Sequence, residues 1–161
     1  GGFDHVLGYL RMSRETGAKV IFIGNGGSAA IASHMAADWM KNGNFCTLCF
    51  NDGAVLTCLA NDTGYENVFK IPLAYHAKFG DILFAISSSG ESKSILNAVE
   101  LAQQAKLNIV TLSGFGKDNS VRKMGGVNFY VPSRSYGTVE IVHLAILHSM
   151  LDEIINDGAE K

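Results

Sequence analysis

Charge is scarce in this chain: of 161 residues only 17% are Asp, Glu, Lys or Arg, and they balance to a net −2. A basic surface for nucleic acid is thereby excluded, so any anionic ligand must be held by local geometry. Long apolar runs are lacking too. No stretch approaches the roughly 20 residues that a membrane-spanning helix requires, and no membrane partner is expected. Cysteine is sparse and odd in number, at Cys46, Cys49 and Cys58. With no charged-then-apolar leader at the N-terminus, the expectation is a reduced, cytoplasmic setting. Cys46 and Cys49 form a CxxC, but FCTLCF reads as a strand, in which residues three apart face opposite ways. The three thiols are therefore expected as small buried apolar side chains rather than a redox pair.

What the chain does have is apolar content, 47%, enough for one full core without disulfide or metal staples. A single domain over 1–161 is expected, with no linker, repeat or low-complexity segment. Strand patterns recur at AKVIFIG (18–24), FCTLCF (45–50), DILFAIS (81–87), NIVTLSG (108–114) and VNFYVP (127–132). Helical patterns lie between them, and a long apolar-periodic helix over 139–155 closes the chain. FDHVLGYLRMSRETG reads as a helix before the first strand, the remnant of a longer one. Continuous apolar strands alternating with helices predict a doubly wound α/β fold, a five-stranded parallel sheet between two helix layers. In such sheets ligands bind beyond the carboxyl ends of the strands.

Four stretches carry chemistry. GNGGS follows the first strand, where glycine lets the backbone approach a ligand and a helix start offers free N–H groups. Gly24-x-Gly26-x-x-Ala29 also resembles a dinucleotide fingerprint, with Asp52 placed as a ribose-binding acid would be. SSSGES, Ser87 to Ser92, follows the third strand and suits a terminal phosphate. Its simpler reading is a cap, since Ser92 or Ser94 can cap the next helix. Two anion cradles at strand ends favour a small phosphorylated ligand, which a dinucleotide would not require. His34 and Asp38 stand at i and i+4 on the helix after the glycine loop, about 6 Å apart, able to share a metal ion or a proton. On the last helix Glu140 and His143 share a face, whereas His148 lies about 12 Å further along the axis than Glu140. If Glu140 and His148 serve one site, either the helix start bends or neighbouring subunits contribute. His143 is expected as a core or interfacial histidine.

These motifs together resemble a known family. Ser87-Ser88-Ser89-Gly90-Glu91-Ser92 is similar to the signature of sugar isomerase (SIS) domains. GNGGSAAIASHMAAD, ANDTGYENVF (60–69) and VPS followed by VEIVHLAILH resemble the phosphoheptose isomerases over nearly the whole chain from Ala18 to Ile155. The resemblance implies conversion of sedoheptulose 7-phosphate to D-glycero-D-manno-heptose 7-phosphate by a homotetramer with zinc or another divalent ion and with sites at subunit interfaces. It places Asn25, Gly26, Gly27, Asn61 and Asp62 on the sugar, and Ser87, Ser88, Ser89 and Ser92 on the phosphate. His34, Asp38, Glu140 and His148 fall on metal-ligand positions. Asp38 stands where the family has a glutamate base, Glu140 where it has a glutamine that touches metal and substrate. The family's nearby threonine, arginine and following glutamate appear here as Tyr136, Thr138 and Ile141.

Isomerisation through an enediolate needs a base at carbon, an acid at oxygen and a hold on the distant phosphate. The implied roles are proton abstraction by Asp38, proton exchange by His148 and carbonyl polarisation by the ion. A non-catalytic SIS module that binds a phosphosugar, or a protein partner such as a replication initiator, is the alternative. It would have no need of His34, Asp38, Glu140 and His148 together.

Overall fold

The computed structural model describes residues 1–159. Five strands, β1 (Val20–Gly24), β2 (Thr47–Cys49), β3 (Ile82–Ser87), β4 (Asn108–Ser113) and β5 (Val127–Tyr130), form one sheet in the order β2-β1-β3-β4-β5. Every pairing is parallel, with Gly24 beside Ile86 and Ser87 beside Ser113. The helices are α1 (Gly2–Thr16), α2 (Gly27–Lys41), α3 (Gly53–Thr63), α4 (Lys70–His76), α5 (Lys93–Gln104), α6 (Ser120–Met124) and α7 (Tyr136–Ala159). The expected doubly wound architecture is present.

Alternation along the strands divides the core in two. Val20, Phe22, Ile82, Phe84, Val110 and Leu112 face one side, where α1, α2 and α7 contribute Leu10, Met35, Trp39, Leu147 and Met150. Ile21, Ile23, Leu83, Ala85 and Ile109 face the other and meet α4 and α5 through Leu73, Ile95, Ala98 and Val99. Both faces are covered, as the unbroken apolar strands require. At the amino ends of β1 and β3 the buried Asp81 carboxylate accepts from Lys19 N and Lys78 N, each at 2.8 Å, and pairs with Lys19 Nζ at 2.7 Å. These charge-assisted bonds register the two central strands.

The segment 54–79 resolves into α3, a 3-10 turn Tyr65–Asn67 and α4, because Gly64 at φ +88° ends α3 in a conformation that glycine favours. No residue of α3 is buried. The cysteines depart from expectation. Cys46 and Cys58 are exposed and Cys49 is half-buried, since β2 is a three-residue edge strand and α3 only skirts the core. Burial pushes the Cys49 thiol up, away from a reactive thiolate.

Candidate active site

The order β2-β1-β3-β4-β5 reverses direction between β1 and β3, so the loops leaving these two strands diverge and open a crevice at their carboxyl ends. Both expected cradles leave from there. A cavity of about 340 Å³ is lined by Asn25, Gly26, Gly27 and Ser28 from the first loop and Ser87, Ser88, Ser89 and Ser92 from the second. Tyr136 and Glu140 close it from α7.

Gly24 is needed because α2 packs close on β1: a Cβ there would lie 2.5 Å from the Ser28 carbonyl oxygen. Gly27 lies beneath the wall that α7 contributes. A side chain on it would collide with the Glu140 carboxylate, which lies over its backbone.

In the serine loop Ser87 Oγ accepts from Gly90 N at 3.1 Å and Ser89 Oγ from Glu91 N at 3.3 Å, while Ser88 and Ser92 make no such bond. Ser92 occupies the N-cap of α5 without making a side-chain cap bond, and the Ser94 hydroxyl accepts from Asn25 Nδ2 at 3.0 Å instead. The capping role is therefore not what holds these serines. Ser88 Oγ is buried with no hydrogen-bond partner, a cost that an anionic ligand in the cavity would remove. Among the described residues no lysine or arginine lines the cavity. Hydroxyls, backbone N–H groups and the start of α5 would supply the positive field.

The loop is braced from behind. Glu91 accepts from Ser120 N at 2.8 Å and Ser120 Oγ at 2.7 Å, and Gly90 packs on the buried Asn119.

About two and three turns into α2, outside the residues that line this cavity, His34 and Asp38 meet His148 of the same chain. His34 Nε2 lies 3.3 Å from His148 Nε2 and 3.5 Å from Asp38 Oδ2, with His148 Nδ1 4.0 Å from that oxygen. One donor atom from each of the three falls within 4.8 Å of the others. No bend of α7 and no neighbouring subunit is required to unite them. Glu140 is not in this trio. Two turns of helix separate it from His148, as the axial rise dictates, and within this chain it lies on the cavity wall.

Asn61 and Asp62, expected on the sugar, do not line the cavity. They sit on the exposed last turn of α3, where Asn61 Nδ2 donates to Asp62 Oδ1 at 2.8 Å. From that stretch it is Tyr65 that reaches the site, donating to Asn25 Oδ1 at 2.7 Å. Tyr65, Tyr136 and the brace residues Glu91 and Asn119 were not singled out as functional from sequence. Glu91 lay inside SSSGES and Tyr65 inside ANDTGYENVF, but neither had a role assigned. Asp52 accepts from Val55 N at 3.0 Å as the N-cap of α3, so that carboxylate has a structural use and the dinucleotide reading loses its acid.

His143 is a core residue, as expected. It is fully buried and its Nε2–H donates to Ser113 O at 3.1 Å, which leaves Nδ1 deprotonated and without a partner. Burial pushes its pKa below the usual 6.5, the Ser113 bond offsetting this in part. Native His143 thus binds its proton more weakly than the unfolded chain does. Its contribution to stability is full above the unfolded pKa and is lost as pH falls through the lower native one. Urea unfolding at about pH 7.5 and about pH 5.5 is expected to show this loss, with a shallower acid limb in His143→Gln. An unchanged limb would deny His143 the role.

Comparison with known proteins agrees with this geometry. The SIS domain model matches residues 4–114. The phosphoheptose isomerase of Rhodospirillum rubrum is 32% identical over 160 residues, covering 94% of this chain and 82% of that protein. That of Sulfurimonas denitrificans is 38% identical over 151 residues, covering 87% and 76%. Among solved structures, the phosphoheptose isomerase from Francisella tularensis superposes with a TM-score of 0.88 at 28% identity, covering 97% of this chain and 85% of the other. The enzyme from Neisseria gonorrhoeae gives 0.87 at 27%, covering 95% and 84%. With the two cradles at the β1–β3 switch point and the likeness running through α7, the chain belongs to the phosphoheptose isomerase family of SIS-domain proteins.

Proposed function

We propose that this chain isomerises sedoheptulose 7-phosphate to D-glycero-D-manno-heptose 7-phosphate. The observation that carries the reading is the unpartnered, buried Ser88 hydroxyl beside the open N-terminus of α5, in a cavity whose other wall is the Asn25–Gly27 loop. A phosphate would satisfy the first and sugar hydroxyls the second. Phosphate binding at Ser87, Ser88, Ser89 and Ser92 then supplies remote binding energy that orients the reacting end.

Two imidazoles and a carboxylate, His34, His148 and Asp38, form a nitrogen and oxygen donor set that fits zinc or another divalent ion. When bound there, such an ion would polarise a sugar carbonyl. The chain's own groups move the protons: Asp38 takes the proton from carbon, His148 exchanges one at oxygen, and Glu140 contacts sugar hydroxyls from the cavity wall. The unburied α3, with Tyr136 60% and Ile141 70% exposed beside the cavity, supports assembly as a homotetramer with sites at subunit interfaces. The cytoplasm, where the sugar phosphate would be met, is the expected setting.

Incubating the purified protein with sedoheptulose 7-phosphate and following the aldose tests the reading, together with metal analysis. Conversion is expected, with a bound divalent ion lost in His34→Ala. An inert wild-type protein would sink it and favour the non-catalytic module.

A further inference from the structure

We propose that Tyr65 is a positioning residue for this site, holding the Asn25 side-chain amide in the orientation from which it meets the sugar. The proposal rests on the isomerase reading above. Its starting observation is that Asn25 is anchored twice. Tyr65 Oη donates to Asn25 Oδ1 at 2.7 Å, and Asn25 Nδ2 donates to Ser94 Oγ at 3.0 Å. With a bond at each end the amide plane cannot swing, and one N–H and one lone pair remain for a ligand.

Tyr65 acts from outside the sugar cavity. Asn25 belongs both to that cavity and to an adjoining one of about 330 Å³, whereas Tyr65 lines the second alone, with Glu66, Lys93 and Ser94. A ligand cradled by Gly26, Gly27 and the serines therefore meets Asn25 rather than Tyr65.

The platform beneath Tyr65 is rigid. Asn97 Nδ2 donates to Glu66 O at 3.0 Å, tying the 3-10 turn to α5, and Val68 and Phe69 immediately after it are buried in the core. Tyr65 as a residue is 54% exposed, so burial is not what keeps it in place. Removing the hydroxyl alone should free Asn25 without disturbing the fold.

The test is a double-mutant cycle on kcat/KM for sedoheptulose 7-phosphate, using Tyr65→Phe, Asn25→Ala and the pair. Loss of one hydrogen bond predicts a fall of roughly three- to tenfold in Tyr65→Phe, seen in KM with kcat nearly unchanged. The pair is expected to be no worse than Asn25→Ala alone, because Tyr65 works through Asn25. The unfolding temperature and inhibition by inorganic phosphate are expected to stay at wild-type values. Additive losses, or a wild-type KM in Tyr65→Phe, would overturn the proposal. If wild-type protein turns nothing over, the isomerase reading has failed separately. A crystal structure of Tyr65→Phe then decides, since an unmoved Asn25 amide removes the positioning role and a reoriented one retains it.

Discussion

Asp38→Asn is expected to lower the isomerisation rate by roughly a thousandfold while leaving the fold intact. The side chain is 27% exposed, its neighbours His34 and His148 are 51% and 36% exposed, and none of the three belongs to the core clusters. Stability therefore does not depend on the trio, and a loss of rate reports chemistry. Asparagine keeps the shape but can neither accept a proton from carbon nor supply negative charge to the imidazoles or an ion between them. His148→Ala is expected to follow with a comparable loss, since its ring lies against both Asp38 and His34.

The informative comparison is with Glu140→Gln. Among the described residues Glu140 is the one carboxylate on the cavity wall, and Asp38 is the one in the histidine trio. If proton abstraction belongs to Asp38, Glu140→Gln loses about tenfold or less, as expected for one contact to a hydroxyl. Steady-state rates at matched metal loading check this. Full activity in Asp38→Asn with a collapse in Glu140→Gln would move the base to α7.

How much of this was legible in the sequence depends on the range of the interactions involved. The strands were legible because burial on both faces demands unbroken apolar runs, and each lies inside its expected segment. The two cradles were legible because glycine and serine clusters at strand ends have a local meaning. His34 with Asp38 followed from helical spacing alone.

The union with His148 did not, because it depends on how α7 crosses α2. Helix rise separates Glu140 from His148 along α7, while the resemblance already grouped His148 with His34 and Asp38, which the structure brings together. Asn61 and Asp62 were chosen by motif. Their helix ends on the surface, and from the same stretch Tyr65 reaches Asn25 across 40 residues of chain, a contact no periodicity encodes. Glu91 lay in plain view within SSSGES, but its partner Ser120 comes from α6, so its bracing role required the fold.

That bracing leads to the second large effect, Gly90→Ala. Gly90 sits at φ +69°, where an L side chain is strained, and a Cβ would lie within 2.7 Å of Asn119 Cβ and closer still to its amide. Asn119 cannot yield. It is 3% exposed, donates to Gly114 O at 3.1 Å and Gly116 O at 2.8 Å, and accepts from Arg122 N at 3.0 Å. Gly90 O is also held by Val121 N at 2.9 Å. The loop must therefore shift toward the cavity, carrying Ser88 and Ser89 with it.

Left-handed strain and steric conflict together are expected to cost about 3 kcal/mol, read by urea unfolding. KM for the sugar phosphate should rise by about a hundredfold, since a displacement of about 1 Å in a positioning element is enough. Glu91→Gln separates the two consequences. Its amide oxygen can still accept from Ser120 but its charge is gone, so the cradle should keep its shape and most of its affinity. Inorganic phosphate as a competitive inhibitor gives the direct reading. Unaltered inhibition in Gly90→Ala would mean that the anion is held elsewhere than on the serine loop.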